Sequence, residues 1–361
     1  MTLSLEYLSI AMNWGSALQV MRSPKHTTKK LSRFGALQFA MCTPAVLGGY
    51  YPNVRVLREH RDRILQAHCV VPMELESKQR IYTMKLSINI RNWGPYSTRD
   101  ILLACAQAAD ESGLDTVWIN ERLTSSLDAP ANLPPVVTPG RTLEPLAMLA
   151  FLAAATQRIG LGSGVINVPF RPALPTAKLV ATIQELSGGR LRLGVGTGWM
   201  EAEFRALGLD PQRKGIMTDD TLAFLHRCFD NDIVEANGQN ILFQPRPTRP
   251  PIYVGGAPPH ALRRAVRFGD GWIPAGVEPG DLKPGIVRLH EMSAEAGRPP
   301  LEVIAMKTLP LEDPPKAVAY ARQFLDVGVT HIVHTQGYTS VTEYRRNIEV
   351  LEEKIRPALQ D

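Results

Sequence analysis

The sequence predicts an α/β fold, a closed (β/α)8 barrel of the TIM type with insertion loops, over residues 84–361. From Met84 onward, short apolar runs typical of buried strands alternate with helical patterns, and eight such runs occur. Strands that alternate with helices form right-handed βαβ units in a parallel sheet. Eight units fit a TIM barrel, whose usual size is about 250 residues. An open doubly wound sheet ranks second, because no G-x-G-x-x-G motif opens the first βα unit.

The predicted elements follow one another in a regular order. The strands are predicted at 86–90, 116–119, 159–165, 191–195, 252–254, 272–274, 303–306 and 331–334. Helices are predicted behind the first three strands, at 98–113, 143–156 and 176–186. Two insertions interrupt the pattern: the proline-rich segment 124–141, and segment 231–251, in which Asn237-Gly238 favours a hairpin turn. Long loops on a barrel usually shape the mouth of the active site.

The first 83 residues lie outside this pattern. They contain 11 Lys and Arg against 5 Asp and Glu, whereas residues 84–361 contain 29 against 30. The basic balance therefore belongs to the extension, and a nucleic-acid partner for the barrel has no electrostatic basis. The extension has no apolar run near the ~18 residues of a membrane span. We expect residues 1–83 to be poorly ordered or to follow a mis-assigned start, with the barrel protein beginning at Met84.

Composition is that of an ordinary globular protein, with 44% hydrophobic and 21% charged residues. Cys42, Cys69, Cys105 and Cys228 have no metal-ligand spacing. We expect buried free thiols in a reducing, cytoplasmic compartment. Clusters of His and carboxylates at strand ends, which a metal hydrolase would need, are missing from the sequence, so we expect no metal site.

Two segments share a strand, a glycine loop and a helix. Residues 186–208, LSGGRLRLGVGTGWMEAEFRALG, contain the first loop, and residues 251–272, PIYVGGAPPHALRRAVRFGDGW, contain the second. Free backbone N–H groups at such loops can hold a phosphate. Two such loops on one sheet predict a single anionic cofactor.

The order of these motifs resembles the luciferase-like monooxygenase superfamily, and within it the oxidoreductases that use the deazaflavin coenzyme F-420. The resemblance covers residue 84 to about residue 336 and none of the extension. It implies a TIM-type barrel with a flavin or deazaflavin at its C-terminal mouth, and hydride transfer to or from a small organic substrate. It also implies a homodimer through the second and third helices. Helix 143–156 is apolar over most of its circumference, which agrees with a partner surface, although loop 124–141 could cover it instead.

The resemblance also implies which residues hold the cofactor. The phosphate of the cofactor is expected near the two glycine loops of segments 186–208 and 251–272. The Thr197 hydroxyl would add a hydrogen bond, and His260 lies one helical turn away. Of the tryptophans 93, 199 and 272, Trp199 is favoured to line the ring pocket. Alternatively, the glycines merely permit tight turns and His260 is a solvated helix residue. The loops are Gly196-Thr197-Gly198 and Gly255-Gly256-Ala257.

The end of the third strand, Ser163-Gly164-Val165, matches the point where the family carries a bulge with a non-prolyl cis peptide bond. This bulge supports the flavin-type ring from behind. The resemblance therefore implies a cis bond between Gly164 and Val165.

Three ionisable residues are candidates for catalysis. Glu121 and Arg122 end the second strand, where many family members have an acid followed by His. Arg122 cannot donate a proton at neutral pH but can stabilise negative charge on the reduced ring or the substrate. Glu121 could donate a proton if burial raised its pKa, or it could pair with an arginine and brace the rim. His334, at the end of the eighth strand, is an alternative acid, whereas His331 is expected to be structural.

Three functions remain open on the sequence. The first is hydride transfer between F-420 and a small organic substrate. The second is an FMN-dependent monooxygenase that receives reduced FMN from a partner reductase, and the third is a non-catalytic flavin-binding barrel. Both cofactors carry a phosphate on a ribityl arm, so the loops do not distinguish them.

Overall fold

A computed structural model describes residues 84–124 and 140–360. Eight parallel strands form the barrel, joined by a two-residue strand, β4 (Ile166–Asn167), and by a hairpin of β6 (Ile233–Ala236) and β7 (Gln239–Leu242). The barrel strands are β1 (Lys85–Asn89), β2 (Thr116–Ile119), β3 (Gly160–Ser163), β5 (Leu191–Gly196), β8 (Ile252–Gly255), β9 (Gly271–Ile273), β10 (Glu302–Lys307) and β11 (His331–His334).

The parallel pairings close into a ring. β1 lies between β2 and β11, with Ile88 aligned to Val117 on one side and to His334 on the other. The order continues from β2 to β3 and from β11 through β10, β9 and β8 to β5. The pairing of β3 with β5, in which Leu161 is aligned to Leu191, closes the barrel. The C-terminal ends of all eight strands therefore meet at one mouth, where TIM barrels place their ligand sites.

Helices surround the ring and return the chain from the mouth to the bottom. Several begin at a side chain that accepts a backbone N–H: Glu144 caps α2, Asp313 caps α8 and Ser340 caps α9. The helices are α1 (Arg99–Glu111), α2 (Pro145–Ala155), α3 (Ala173–Leu186), α4 (Glu201–Ala206), α5 (Lys214–Asp230), α6 (His260–Phe268), α7 (Pro279–Glu295), α8 (Pro314–Asp326), α9 (Val341–Val350) and α10 (Arg356–Ala358).

The core has two parts because each strand has an outward and an inward face. Outward residues pack against the helices in one continuous apolar layer. Inside the ring, a smaller cluster fills the middle of the barrel and separates its two ends: Trp118, Tyr253, Ile273, Ile304 and Val333, with Val165 and Met306 packed against it.

The structure confirms the predicted barrel and all eight predicted strands. The helix expected at 176–186 begins three residues earlier, at Ala173, and the predicted hairpin turn is present, with positive φ angles of 51° at Asn237 and 77° at Gly238. Cys105 and Cys228 are buried free thiols, as expected. The predictions for the extension 1–83, including Cys42 and Cys69, and for most of loop 124–141 fall outside the described residues.

Within the described ranges, no helix combines the length and the apolar character that crossing a membrane requires. In the same part of the chain, no group of three or more His, Cys, Asp or Glu side chains is arranged to hold a metal ion.

Candidate active site at the barrel mouth

A cavity of about 390 Å³ opens at the ends of β3, β5, β8, β9 and β10. Eight of the residues predicted to bind the cofactor line it together, although they come from three separate parts of the chain. They are Gly164, Val165, Gly196, Thr197, Gly198, Trp199, Gly255 and Gly256. The structure therefore joins the two glycine loops and the end of β3 into one wall.

Glycines make this wall because side chains would fill the cavity's edge. A Cβ atom at Gly196 would lie 2.6 Å from Cγ2 of Val165, and one at Gly255 would lie 2.9 Å from Cγ1 of the same valine. A Cβ at Gly164 would overlap the Met306 side chain. Gly198 has a positive φ of 77°, which side chains disfavour. This part of the cavity wall is thus formed by backbone, with room for a ring or a ribityl chain.

The bulge after β3 is held from β2. The Gly164–Val165 peptide bond is cis, as predicted. Asn120 Nδ2 donates to the Gly164 carbonyl oxygen at 2.7 Å, and Asn92 in turn fixes Asn120 by donating to its carbonyl oxygen at 2.8 Å. Ser163, which is also a predicted cofactor residue, is fully buried and exchanges two hydrogen bonds with the backbone of Gly194, at 2.8 and 2.9 Å. Ser163 therefore supports the wall from behind instead of lining the cavity.

Glu121 holds the other side of the bulge. Its buried carboxylate accepts one bond from the Arg171 guanidinium and one from the backbone N–H of Asn167, and Arg171 also pairs with Glu144. Burial raises the pKa of Glu121, and the bonds from Arg171 and Asn167 act in the opposite direction. Glu121 thus has the bracing arrangement that the sequence left open, with Arg171, 50 residues away, as its partner.

Arg122 is buried beside the cavity, and few neighbouring groups compensate its positive charge. Its Nη1 donates to the Met200 sulfur at 3.0 Å, its Cζ lies 5.6 Å from the centre of the Trp199 ring, and its Nε has no partner in the described part of the chain. Glu203 is the nearby carboxylate, but it already accepts the Leu123 N–H at 3.0 Å. Burial lowers the pKa of Arg122. A cation in this position would be stabilised by negative charge on a ligand in the cavity.

The two histidines of β11 are neutral. Nδ1 of His334 accepts the Leu309 N–H at 3.2 Å, so the ring proton sits on Nε2, which donates to Gln336 at 3.2 Å. Burial lowers the pKa of His334 to about 4. His331 lies deeper, bonded to the Ser87 hydroxyl, and burial lowers its pKa to about 3. At neutral pH, His334 therefore offers one N–H and no positive charge.

Three predicted cofactor residues lie outside the cavity lining: Ser163, which is buried behind the wall, and Ala257 and His260. Ala257 and His260 are exposed at the start of α6, and His260 Nδ1 accepts a bond from Arg263 at 3.0 Å. Six further lining residues were not predicted from the sequence: Asn167, Ile273, Pro274, Ala275, Gly276 and Met306. The Ala275-Gly276 pair directly after the sixth predicted strand was a usable signal for this side, because βα loops build the mouth. No feature of the sequence pointed to Met306.

Trp272 supports the second glycine loop although it does not line the cavity. Its buried indole N–H donates to the Gly256 carbonyl oxygen at 2.8 Å. Trp199, in contrast, is 59% exposed, which leaves its ring at the cavity opening.

A parallel eight-stranded barrel with a ligand-sized cavity at its C-terminal mouth defines a TIM-barrel protein with its site in the usual place. The chain belongs to the luciferase-like monooxygenase family, whose family model matches residues 84–357.

Relatives by sequence include reductases. An uncharacterised protein of Mycobacterium tuberculosis is 29% identical over 206 residues, which cover 54% of this chain and 71% of that protein. A 5,10-methylenetetrahydromethanopterin reductase of Methanolobus tindarius is 28% identical over 205 residues, which cover 55% of this chain and 57% of the reductase. This chain therefore matches little more than half of that reductase's length.

Solved structures share the fold at low identity. The monooxygenase RslO1 of Streptomyces bottropensis has a TM-score of 0.65 at 19% identity, covering 76% of this chain and 99% of its own. An F-420-dependent secondary alcohol dehydrogenase in complex with an F-420–acetone adduct has 0.63 at 16%, covering 77% and 100%. The oxygenating constituent of 3,6-diketocamphane monooxygenase of Pseudomonas putida, in complex with FMN, has 0.59 at 14%, covering 76% and 98%. Neighbours of this fold thus use either cofactor.

Proposed function

We propose that this protein is an oxidoreductase that transfers a hydride between coenzyme F-420 and a small organic substrate. The observation that carries the proposal is that three strand-end glycines from separate βα units line one shared cavity: Gly164, Gly196 and Gly255. Its volume of about 390 Å³ is in the range of small-molecule sites. The F-420-dependent dehydrogenase and the reductase among the similar proteins support the choice of cofactor.

The residues of the cavity fit such a group. The glycine wall would receive the ring, and the loops at Thr197-Gly198 and Gly255-Gly256 would hold its phosphate through backbone N–H groups. When bound, the deazaflavin supplies the carbon that carries the hydride, and the protein supplies orientation and exclusion of water. Trp199, at the opening, would cover the bound molecules.

Arg122 has the clearest electrostatic role in the proposal. Its buried guanidinium lies 5.6 Å from the centre of the Trp199 ring, which lines the cavity, and among the described residues it forms one bond to a sulfur and no ion pair, so its charge would stabilise negative charge that develops on the ring or the substrate. Glu121 would act mainly as a positioning residue, since both its carboxylate oxygens are used to hold the bulge. His334 is buried outside the cavity lining, and its one ring N–H is already donated to Gln336, so it would act as a supporting residue.

The experiment is a parallel titration of the full chain with oxidised F-420 and with FMN, followed by fluorescence. We expect F-420 to bind more tightly, and then reduced F-420 to be oxidised by members of a substrate panel. Tighter FMN binding with oxygen consumption would replace the proposal by the monooxygenase supplied by a reductase. Binding without turnover of any substrate would favour the non-catalytic barrel.

Arg122 variants make the same experiment specific. We expect Arg122→Met to slow hydride transfer about 100- to 1,000-fold, the usual loss for one donor to a developing charge, and Arg122→Lys to retain part of the rate. The exposed Arg205 on α4 provides the matched control, Arg205→Met, which should not change the rate. Equal rates in the Arg122→Met variant and the wild type would remove Arg122 from the mechanism.

The proposal includes a homodimer through the face of α2. The outward positions of this helix are small or apolar, with Ala147 and Ala154 exposed and Phe151 half-buried, and a largely apolar groove of about 480 Å³ lies beside them. Light scattering of the full chain should give twice the monomer mass. Ala154→Glu should produce monomers, whereas a wild type that is monomeric at micromolar concentration would contradict the dimer.

A further inference from the structure

A second cavity, also of about 390 Å³, lies at the opposite end of the barrel, among the N-terminal ends of the strands. Lys85 and Glu302 are the first residues of β1 and β10, and Arg192 is the second residue of β5. Charged side chains dominate the lining: Lys85, Arg192, Arg249, Arg298, Asp270 and Glu302. None of these residues belongs to the candidate active site at the mouth, so the second cavity is a separate feature of the barrel.

The acceptors in this cavity are already used. Both oxygens of Asp270 accept from Arg249, at 2.8 and 3.0 Å, and Oδ2 also accepts the Ile252 N–H at 2.8 Å. Glu302 Oε1 accepts from Lys85 at 2.6 Å, and Oε2 accepts the Tyr253 hydroxyl at 2.7 Å. All four carboxylate oxygens therefore have donors.

The donors are in excess. Arg298 donates to the carbonyl oxygens of Ala265, Val266 and Gly269 at the C-terminal end of α6. Arg192 is half-buried, and its guanidinium forms no hydrogen bond or ion pair with any described residue. Among the described residues, four cations thus face two carboxylates, and the Arg192 guanidinium has no partner there.

A buried group close by responds to this positive charge. Lys85 and Arg192 both contribute, after burial, to the lowering of the pKa of His331, which is aligned with Lys85 in the pairing of β1 with β11. The positive charge of both residues therefore acts towards the inside of the barrel.

We propose that this cavity is a binding site for a small dianion, such as inorganic phosphate, a phosphomonoester or a short dicarboxylate, with Arg192 as its anchor. A guanidinium binds such groups through two parallel N–H bonds. Lys85 has further N–H groups beside the one bound to Glu302 and would add a second positive contact. The proposal does not rest on the function of the mouth.

The test is thermal unfolding and calorimetric titration of the full chain with inorganic phosphate at pH 7.5, against chloride at equal ionic strength. Phosphate also stabilises proteins in general, so the decisive quantity is the difference between the wild type and Arg192→Gln. We expect saturable heat in the wild type and a Tm rise about 2–4 °C larger than in the variant. A succinate titration distinguishes a carboxylate source from a phosphate source.

The control variant is Arg346→Gln, since Arg346 lies exposed on α9 and forms no ion pair among the described residues. It should respond to phosphate as the wild type does. If Arg192→Gln does not fold, Arg192→Lys provides the test: it keeps the charge, loses the fork and should bind phosphate about 10-fold more weakly. The proposal would be overturned if the wild type gave no saturable heat, or if the Arg192 variants bound phosphate as tightly as the wild type.

Discussion

The two ends of this barrel contain cavities of the same volume and opposite chemistry. At the mouth, the wall is glycine backbone with apolar neighbours, whereas at the bottom it is arginine, lysine and carboxylate. Three strands, β5, β8 and β10, contribute residues to both cavities. Along the inward face of β5, Arg192 at the bottom is followed by Gly194 and then by Gly196 at the mouth, and in β8 Tyr253 is followed by Gly255.

The difference shows how one alternating strand can serve two purposes. Every second residue points into the barrel, so a long side chain at the bottom can fill the interior while a glycine two or four residues later leaves it open. The apolar layer around Trp118 and Ile304 separates the two ends. Changes at one end should therefore have little effect on the other.

The largest expected effect comes from the wall between the two cavities. A Cβ at Gly194 would overlap the backbone oxygen of Ser163, which cannot move without parting β3 from β5. We expect Gly194→Ala to lower the free energy of unfolding by about 3 kcal/mol or more, measured by chemical denaturation. The control is Gly280→Ala on α7, where a Cβ meets open space and helix propensity favours alanine. If both variants had the same free energy of unfolding as the wild type, β3 and β5 would be packed less tightly at Gly194 than the structure shows.

The second effect concerns pH and the lower half of the barrel. The pKa of His331 is about 3 in the folded protein and about 6.5 when unfolded, so below pH 6.5 the unfolded chain binds the extra proton. Its contribution to stability is complete above that pH and is lost as the pH falls towards 3, by up to about 1.4 kcal/mol per pH unit.

The variant His331→Gln isolates this contribution. Its free energy of unfolding should fall less steeply than that of the wild type between pH 6.5 and pH 4, because the other titrating groups are common to both proteins. Parallel curves for the two proteins would mean that His331 is not held neutral.

The third effect is confined to the mouth. We expect Gly255→Val to lower cofactor affinity about 10- to 100-fold, since the new side chain would displace Val165 and narrow the cavity. Fluorescence titration measures it. Gly280→Val, at an exposed position of α7, should bind cofactor as the wild type does. Unchanged binding by Gly255→Val would place the cofactor elsewhere.

The smallest effect lies two residues away on the same strand. Tyr253→Phe removes the hydroxyl that donates to Glu302, which should lower the free energy of unfolding by about 1 kcal/mol and leave cofactor affinity unchanged. Comparison of this variant with Gly255→Val tests whether the two ends are independent. A loss of cofactor affinity in Tyr253→Phe would show that they are coupled.

Much of the candidate site could be predicted because its signals are local. The loops at Gly196-Thr197-Gly198 and Gly255-Gly256 each follow a short apolar strand, and parallel strands bring their C-terminal ends to one edge. The partners of the charged residues could not be predicted in this way. Arg171 and Glu121 are 50 residues apart, and only the packing of β4 beside β5 brings the segment after the bulge to the end of β2. His260 followed a glycine loop as expected but points to Arg263 instead of the cavity.

The sequence by itself determined the barrel, its eight strands and the glycine wall, because strand periodicity and glycine placement are properties of neighbouring residues. The tertiary structure decided which ionisable groups are free. Glu121 is satisfied by Arg171, and His334 is neutral between Leu309 and Gln336, whereas neither Arg122 nor Arg192 forms an ion pair with a carboxylate of the described residues. Hydrogen bonding and burial between distant segments fix the charge state and availability of a side chain, and neither is written in local sequence.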